Sequence, residues 1–366
     1  MVNEDVCVDI YFVQQNETMS TTQIETKQRS LSIDMVKGLS IMTLFFLHFE
    51  NGWMDCDYNF LIVRSPAFYI VVGWLWGMSS NKKNIKGHWE KRKNGLIKPY
   101  LCLSLIFIVF DAVMVTLQLL DAQILGRDIF KTLCLRGIGT LWFLPALLGG
   151  EMLFIYLSNK NKKIKSFAYI LCFTIIVIIG KYIPNLFPKN ENLQFIAYSL
   201  TRVVKDICDT FIYISIAYYI SNAKGRTIFN SKKTYQFITG SALLLTAFYI
   251  FNFISGNFTN NEIIETIWFM TANCCSGFGI LLFFKSIEQF KPLSTPLSYC
   301  GKNSLAIMAF HFCLLFQIAL IVDKNILGYS NYYGDRTIIY FFVALLLQII
   351  IIELVNKKFP YIIGKK

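Results

Sequence analysis

The sequence predicts an all-α polytopic membrane protein: a single bundle of about ten transmembrane helices with both termini in the cytoplasm. Of the 366 residues, 55% are hydrophobic and 16% are charged, whereas soluble domains average about 45–50% apolar and about 25% charged residues. Apolar runs of membrane-spanning length recur from about residue 39 to residue 355. Lys and Arg gather in alternate connections between these runs. Together these observations exclude a soluble enzyme.

Ten apolar windows of spanning length follow one another along the chain. The sixth is the exception, because its first half contains charged residues, namely Arg202, Lys205, Asp206 and Asp209. We expect its spanning part to begin near Ile207, after an interfacial or cavity-lining stretch. The windows cover roughly residues 31–50, 60–80, 96–119, 138–157, 167–183, 195–221, 236–254, 263–285, 299–322 and 336–356.

The distribution of basic residues predicts the orientation, because Lys and Arg are retained on the cytoplasmic side. With the N-terminus inside, the inner segments hold 24 of the 35 Lys and Arg residues and the outer segments hold 8. The remaining three lie within the windows. The N-terminus lacks the basic and apolar regions of a cleavable signal peptide. We therefore expect a cytoplasmic tail over residues 1–28, one transmembrane domain over 29–356 and a second cytoplasmic tail over 357–366.

The same asymmetry accounts for the net charge of +12, so we expect membrane lipids and no nucleic acid among the partners. The ten cysteines lie mostly inside apolar runs, without the paired spacings of zinc sites or of a secreted disulfide framework. We interpret them as packing residues and expect no metal.

Ionisable residues inside the spans are costly in hydrocarbon and therefore mark candidate functional positions. In the first helix, Lys37 and His48 are eleven residues apart, which places them about 20° from the same face and about 16 Å apart along the axis. Asp34 is close enough to pair with Lys37. His48 falls in the outer half, beside the acidic exit that begins at Glu50. Either Lys37 snorkels and His48 is structural, or His48 is a general base.

The segment KKNIKGHWEKRKNGLIKPYLC before the third helix is the densest basic cluster of the chain. One interpretation is a topology determinant or a contact with anionic lipids. The alternative is a docking site for a phosphorylated cofactor, bound by charge-assisted hydrogen bonds from Arg92, Lys91 and Lys93.

Two further helices carry polar residues in the bilayer. Kinking and close packing explain Pro145 and the Gly149–Gly150 pair of the fourth helix, but not Glu151. In the ninth helix, His311 would lie near mid-membrane as a structural partner or a catalytic group. The residues that we expect to contact substrate or to satisfy other polar groups are Asp34, Glu50, Trp142, Glu151 and His311.

Taken together, these segments resemble the membrane-bound acyltransferase-3 family, and within it the branch of bacterial sugar O-acetyltransferases. The likeness covers about residues 29–355. It rests on RSLSIDMVKGLSIMTLFFLHF in the first helix, KRKNGLIKPYL before the third, LWFLPALLGG in the fourth and GKNSLAIMAFH in the ninth. The most specific feature is the pair Lys37 and His48, a basic residue and a histidine with ten residues between them. In the family this pair is preceded by an arginine and an aspartate with four residues between them, which correspond to Arg29 and Asp34.

The resemblance implies transfer of an acyl group, usually acetyl, from cytoplasmic acetyl-CoA to a hydroxyl of a carbohydrate in a bacterial cytoplasmic membrane. It implies that His48 is catalytic and that Lys37 is its basic partner. The family also has an Arg-x-x-Arg pattern before the third helix, of which the first arginine falls on Arg92 and the second on Gly95. Lysines can replace the lost charge but not the planar fork of arginine. The cofactor contacts are thus predicted at Arg92, Lys91, Lys93 and Lys98.

Two other classes of function remain open on the residues alone. A proton-coupled transporter or flippase would also place Lys, His and Glu within its helices, although the sequence lacks the related halves of many transporters. A membrane scaffold or sensor would make the same residues structural. The acceptor sugar, its side of the membrane and the oligomeric state are not predicted, although His48 in the outer half favours an extracytoplasmic or lipid-linked acceptor.

Overall fold

The computed structural model describes residues 30–50, 65–79, 85–182, 191–254, 261–328 and 336–365. Of these described residues, 90% are helical and none lies in a strand. The helices are α1 Leu31–Glu50, α2 Pro66–Met78, α3 Ile85–Arg92, α4 Lys98–Thr116, α5 Ala122–Leu133, α6 Phe143–Ser158, α7 Lys162–Tyr182, α8 Glu191–Ile220, α9 Arg226–Phe229, α10 Lys233–Tyr249, α11 Glu262–Ile287, α12 Lys291–Lys302, α13 Ser304–Phe310, α14 Gln317–Ile321 and α15 Arg336–Lys358. Residues 1–29, which include the predicted N-terminal tail, lie outside the described residues.

Eight helical segments in the described part of the chain are long and apolar enough to cross a membrane. The other two predicted windows fall on α2, which is apolar over 13 residues, and on α8, whose first half is charged. The prediction of an all-α polytopic membrane protein is therefore confirmed. Helices suit this environment because each satisfies its own backbone N–H and C=O groups where no water is present. The orientation of the bundle stays a prediction.

Three elements differ from the sequence windows in detail. The connection after the third window contains a helix, α5, whose first turn is capped by Asp121 accepting from the Gln123 N–H at 2.8 Å. The charged half of the sixth window is part of one continuous helix, α8. The ninth window contains a break at Asn303, which separates α12 from α13. Hydropathy alone missed α5 because an amphipathic helix has no continuous apolar run.

Helix α1 lies at the centre of the bundle, in contact with α2, α11, α12, α13 and α15. Its closest neighbour is α12, because two glycines remove the side chains that would separate the backbones. A Cβ atom on Gly38 would overlap the Leu297 carbonyl, and one on Gly301 would overlap the Asp34 carbonyl. This crossing holds the end of α1 that bears Asp34 and Lys37.

The predicted C-terminal tail folds back onto the bundle. Pro360–Ile363 forms a short 3-10 turn that packs against α4. The Lys365 ammonium donates to Asn303 Oδ1 at 3.1 Å and to Asn356 Oδ1 at 2.8 Å. The tail thereby ties the break between α12 and α13 to the end of α15.

Candidate active site

The first candidate, His48, lies near the end of α1 among aromatic side chains. Phe45 and Phe49 on the same helix are fully buried, while His48 itself is half-buried. Its ring centroid is 4.5 Å from that of Phe312. The imidazole therefore has one face packed against protein and keeps part of its surface accessible.

The second candidate, His311, is fully buried and contacts His48 directly. It begins the π-helical turn His311–Phe316, which follows α13. The distance from His311 Nε2 to His48 Nδ1 is 2.8 Å, and His311 Nδ1 lies 2.6 Å from the Ile307 carbonyl oxygen. Residues 263 positions apart are thus joined in one hydrogen-bonded chain.

The direction of these hydrogen bonds follows from the chemistry of the partners. A backbone carbonyl only accepts, so His311 Nδ1 carries the proton. In a neutral ring the other nitrogen is an acceptor, so His311 Nε2 accepts from Nδ1–H of His48. The lone pair of a neutral His48 is then on Nε2, which faces away from His311. The arrangement prepares His48 Nε2 to accept a proton or to attack an electrophile.

Lys37 and Asp34 lie on the same helix but at the opposite end. Lys37 is half-buried, and the helix rise separates it from His48 by about 16 Å along the axis. Asp34 is 2% exposed and lies at the crossing with Gly301. The structure therefore does not bring Lys37 into the His48–His311 pair. The Glu50 side chain lies outside the described residues.

Arg92 and Glu151 form a second buried polar cluster, between α3 and α6. Arg92 Nη2 donates to Glu151 Oε1, and the two residues are 5% and 0% exposed. His88 Nε2 lies 3.1 Å from the other carboxylate oxygen of Glu151. We did not single out His88 from the sequence. Its position four residues before Arg92 on a helix is the signal that would have found it, since such residues share a face.

The three lysines of the predicted cofactor site differ from Arg92 in their exposure. Lys91, Lys93 and Lys98 are exposed to solvent, whereas Arg92 points into the protein. A continuous helical path of α3, the π-helical turn Lys93–Ile97 and α4 carries all four residues. The exposed ammonium groups are therefore accessible to an anionic ligand, while the Arg92 guanidinium is engaged by Glu151.

Trp142 ends the 3-10 turn Gly139–Trp142 at the start of α6 and is half-buried. The Arg136 guanidinium lies 5.9 Å from its ring centroid. The same turn reaches the chain that carries His311, because the Thr140 hydroxyl donates to the Met308 carbonyl. The turn that Trp142 ends therefore contacts α13, the helix that leads into His311.

These observations define a multi-pass membrane protein with a buried histidine pair and a buried Arg–Glu pair in its helical bundle. The model of the acyltransferase-3 domain family, described as an acyltransferase domain, matches residues 30–354. The chain therefore belongs to the membrane-bound acyltransferase-3 family and is an acyltransferase. No curated protein and no solved structure matches it.

Proposed function

We propose that the protein is an integral-membrane O-acetyltransferase of the bacterial cytoplasmic membrane. It moves an acetyl group from cytoplasmic acetyl-CoA to a hydroxyl of a cell-surface carbohydrate or of its lipid-linked precursor. Acyl transfer follows from the family to which the chain belongs. The acetyl donor and the carbohydrate acceptor rest on the resemblance to the sugar O-acetyltransferase branch.

The observation that carries the proposal is the hydrogen-bonded chain from the Ile307 carbonyl through His311 to His48. This chain orients the His48 ring and leaves its lone pair on Nε2. His311 thus has the role of the third group in a nucleophile–base–orienter arrangement. A general base must be held in this way to accept a proton at the moment of attack. His311 therefore acts as a positioning residue and His48 as the base.

The proposed chemical step involves His48 Nε2, the acceptor hydroxyl and the thioester of the donor. His48 Nε2 accepts the proton of the acceptor hydroxyl while the hydroxyl oxygen attacks the thioester carbonyl carbon. The new C–O bond forms, the C–S bond breaks, and the thiolate of CoA takes the proton from the His48 imidazolium. In a variant of this step, the acetyl group first passes to His48 Nε2, and an acetylated His48 found by mass spectrometry after exposure to donor alone would distinguish the variant.

The donor is proposed to dock on the exposed face of the basic cluster, where Lys91, Lys93 and Lys98 provide ammonium groups for its phosphates. Its pantetheine arm would extend past Lys37, because an arm on the order of 15–20 Å matches the helix rise from Lys37 to His48. The prediction that Arg92 contacts the donor stays a prediction. Its contact with Glu151 supports a role in holding the lysine-bearing segment.

The transporter or flippase alternative requires no acyl donor, and no observation favours it. The test uses full-length protein in lipid nanodiscs with radiolabelled acetyl-CoA, and follows both hydrolysis and transfer to carbohydrate. We expect the wild type to consume acetyl-CoA, the His48→Ala variant to lose this activity while it still binds the donor, and the control Met42→Ala to keep it. Full activity of the His48→Ala variant would overturn the proposal. A wild-type protein that does not consume acetyl-CoA would overturn it as well.

A further inference from the structure

Helix α5, which precedes the span that contains Trp142, packs against α4. The Tyr100 hydroxyl, near the start of α4, donates to the Thr132 carbonyl near the end of α5 at 2.8 Å. Arg92, still earlier in the chain, contacts Glu151 in the middle of α6. Helices α5 and α6 therefore follow each other along the length of α3 and α4, in the reverse direction. Polar helices are tolerated at membrane depth where they face protein or a cavity.

A cluster of charged side chains lies where the connection between α5 and α6 meets α8. Arg202 Nε is 3.0 Å from Asp206 Oδ1, and Arg136 Nη1 is 3.9 Å from Asp206 Oδ2. On the next turn, Lys205 Nζ is 2.6 Å from Asp209 Oδ2. Three cations thus face two carboxylates, and the cluster retains one positive charge. We call these five residues the α8 ion cluster.

Two donors of the α8 ion cluster have capacity for a further acceptor. Arg136 Nη1 and Arg202 Nε are buried N–H groups without a hydrogen-bond acceptor in the part of the chain that the structure describes. Asp206 attracts both guanidinium groups, but one contact is too long and the other is misaligned for a hydrogen bond. Buried donors that lack an acceptor are costly and rare. An anionic oxygen placed between the two guanidinium groups would satisfy both.

Trp142 lies beside the α8 ion cluster. Together with Leu135, Arg136, Ala146, Val203 and Asp206 it lines a closed crevice, so a ligand reaches the two guanidinium groups only when these side chains move apart. The indole of Trp142 offers an apolar face and an N–H donor, and carboxylates and guanidinium groups bind hydroxyls. Leu135 has a positive φ of 63°, as the left-handed residue that ends α5, and this cap directs the chain to Arg136.

The cluster is also adjacent to the histidine pair. The Cys313 thiol, two residues after His311, is 3.5 Å from the Ile138 carbonyl, and a Cβ on Gly139 would meet Phe312 and Cys313. Phe312 in turn packs on the His48 ring. Residues 135–142 therefore have one side on the α8 ion cluster and the other on the helix turn that carries His311.

Topology does not explain this concentration of positive charge. With the predicted orientation, only 8 of 35 Lys and Arg residues lie in outer segments, and three of them, Arg127, Lys131 and Arg136, fall within ten residues of each other. Arg202 and Lys205 add two more on the facing helix. Ionisable side chains within the bundle are costly and therefore mark a candidate functional position.

We propose that Arg136 and Arg202, with Trp142 beside them, bind an anionic group of the acceptor. The inference rests on the proposed function and narrows its acceptor: an acidic sugar or a sugar carried on a lipid diphosphate, and not a neutral free sugar. The anionic group is held at the α8 ion cluster while a hydroxyl of the same molecule reaches His48. The acidic sugar and the lipid diphosphate both present a negatively charged oxygen, which is the group that the two arginines recognise.

The experiment measures binding to full-length protein in nanodiscs of neutral lipid by isothermal titration calorimetry. Three probes are compared: farnesyl diphosphate, a glucuronic acid trisaccharide and neutral maltotriose. We expect one of the two anionic probes to bind and maltotriose to bind at least tenfold more weakly. The anionic probe that binds identifies the source of the charge. Absence of binding by both anionic probes, or equal binding of maltotriose, would overturn the inference.

Variants link the binding to the proposed residues. The double variant Arg136→Gln/Arg202→Gln should lose affinity for the anionic probe by tenfold or more, whereas Lys324→Gln, at an exposed lysine predicted on the same side, should not. Trp142→Phe should remove the change in tryptophan fluorescence that accompanies binding. If the double variant unfolds, judged by its thermal transition, Arg136→Lys/Arg202→Lys retains the charge but not the fork, and should weaken binding as well. Unchanged affinity in the folded variants would contradict the inference.

Acetyl-CoA hydrolysis separates this inference from the proposed function. Wild-type protein that hydrolyses acetyl-CoA and binds one of the anionic probes more tightly than maltotriose supports both. If the wild-type protein hydrolyses acetyl-CoA but binds neither anionic probe, the proposed function stands and the anion site is contradicted. If a probe binds in a way that depends on Arg136 and Arg202 but acetyl-CoA is not consumed, the anion site stands and the proposed function is contradicted.

Discussion

At the residue scale, the contact between His48 and His311 determines which ring nitrogen can act as a base. The Ile307 carbonyl defines the tautomer of His311, and His311 defines that of His48. A neutral imidazole in the place where triads often have a carboxylate orients the base without adding a buried negative charge. This arrangement suits a site in low dielectric, where an unpaired carboxylate would be costly.

We predict that His311→Phe lowers the rate of acyl transfer by about 10–100-fold, as loss of an orienting partner typically does, while KM for the donor changes little. The phenyl ring fills the space but leaves Nδ1–H of His48 without its acceptor. His311→Gln, whose amide oxygen can accept that hydrogen bond, should recover part of the rate. A merely structural role for His311 would give the opposite order, because Phe preserves packing better than Gln, and thermal transitions of both variants serve as the control.

The buried Arg92–Glu151 pair leads to a second prediction at this scale. Glu151→Leu should destabilise the protein by about 3–5 kcal/mol, because it leaves the Arg92 guanidinium buried without its carboxylate. The double variant Arg92→Met/Glu151→Leu should recover much of that loss, since both charges are removed together. Thermal unfolding in detergent measures both. A double variant no more stable than the single variant would show that other partners support each residue.

At the scale of the element, the α3–α4 segment separates two kinds of basic residue. Three lysines on its outside are exposed, and Arg92 on its inside is buried. Since exposed charges act through a screened field, their contribution to donor binding should fall with ionic strength.

We predict that Lys91→Gln/Lys93→Gln/Lys98→Gln weakens acetyl-CoA binding by tenfold or more at low salt, and by less at high salt. The matched control removes three lysines near the start of α7, predicted on the same side of the membrane: Lys162→Gln/Lys163→Gln/Lys165→Gln. Equal effects of the two triple variants would mean that only the total charge of that side matters.

The crossing of α1 and α12 gives a further prediction for an element. Gly38→Ala should destabilise the protein by about 1–3 kcal/mol or more, because the new Cβ would overlap the Leu297 carbonyl, which is backbone and yields little. Gly95→Ala is the control, since a Cβ at Gly95 has nothing within 4 Å. Thermal unfolding of both variants compares the same chemical change in two environments. A Gly38→Ala protein as stable as Gly95→Ala would show that the helices can separate.

At the scale of the whole molecule, the predicted orientation decides towards which side of the membrane the α8 ion cluster lies. We predict that a membrane-impermeant maleimide labels Asp121→Cys, before α5, in intact cells, and that Ser231→Cys, between α9 and α10, is labelled only after lysis. Both are introduced into a protein whose native cysteines are replaced by serine. The reverse pattern would invert the bundle and place the ion cluster towards the cytoplasm.

The helical class and nearly all of the spans were predictable because each depends on a local run of apolar residues. The ten windows each overlap a helix, and the departures occur where the signal is not a run: amphipathic α5, charged α8 and the break at Asn303. The candidate site was predictable only in part. Ionisable residues inside the spans marked His48, Glu151 and His311 as candidate positions, but the sequence did not predict which residues they contact. His88 was missed because it lies outside the predicted spans.

The sequence by itself determined that this chain spans a membrane many times and belongs among the acyltransferases, because hydropathy, basic-residue asymmetry and motif spacing are properties of neighbouring residues. Only the tertiary structure decided that His48 pairs with His311, that Arg92 faces Glu151 and that Arg136 meets α8. Those contacts join positions from 59 to 263 residues apart. They depend on which helices pack together and at what depth, which no local pattern encodes.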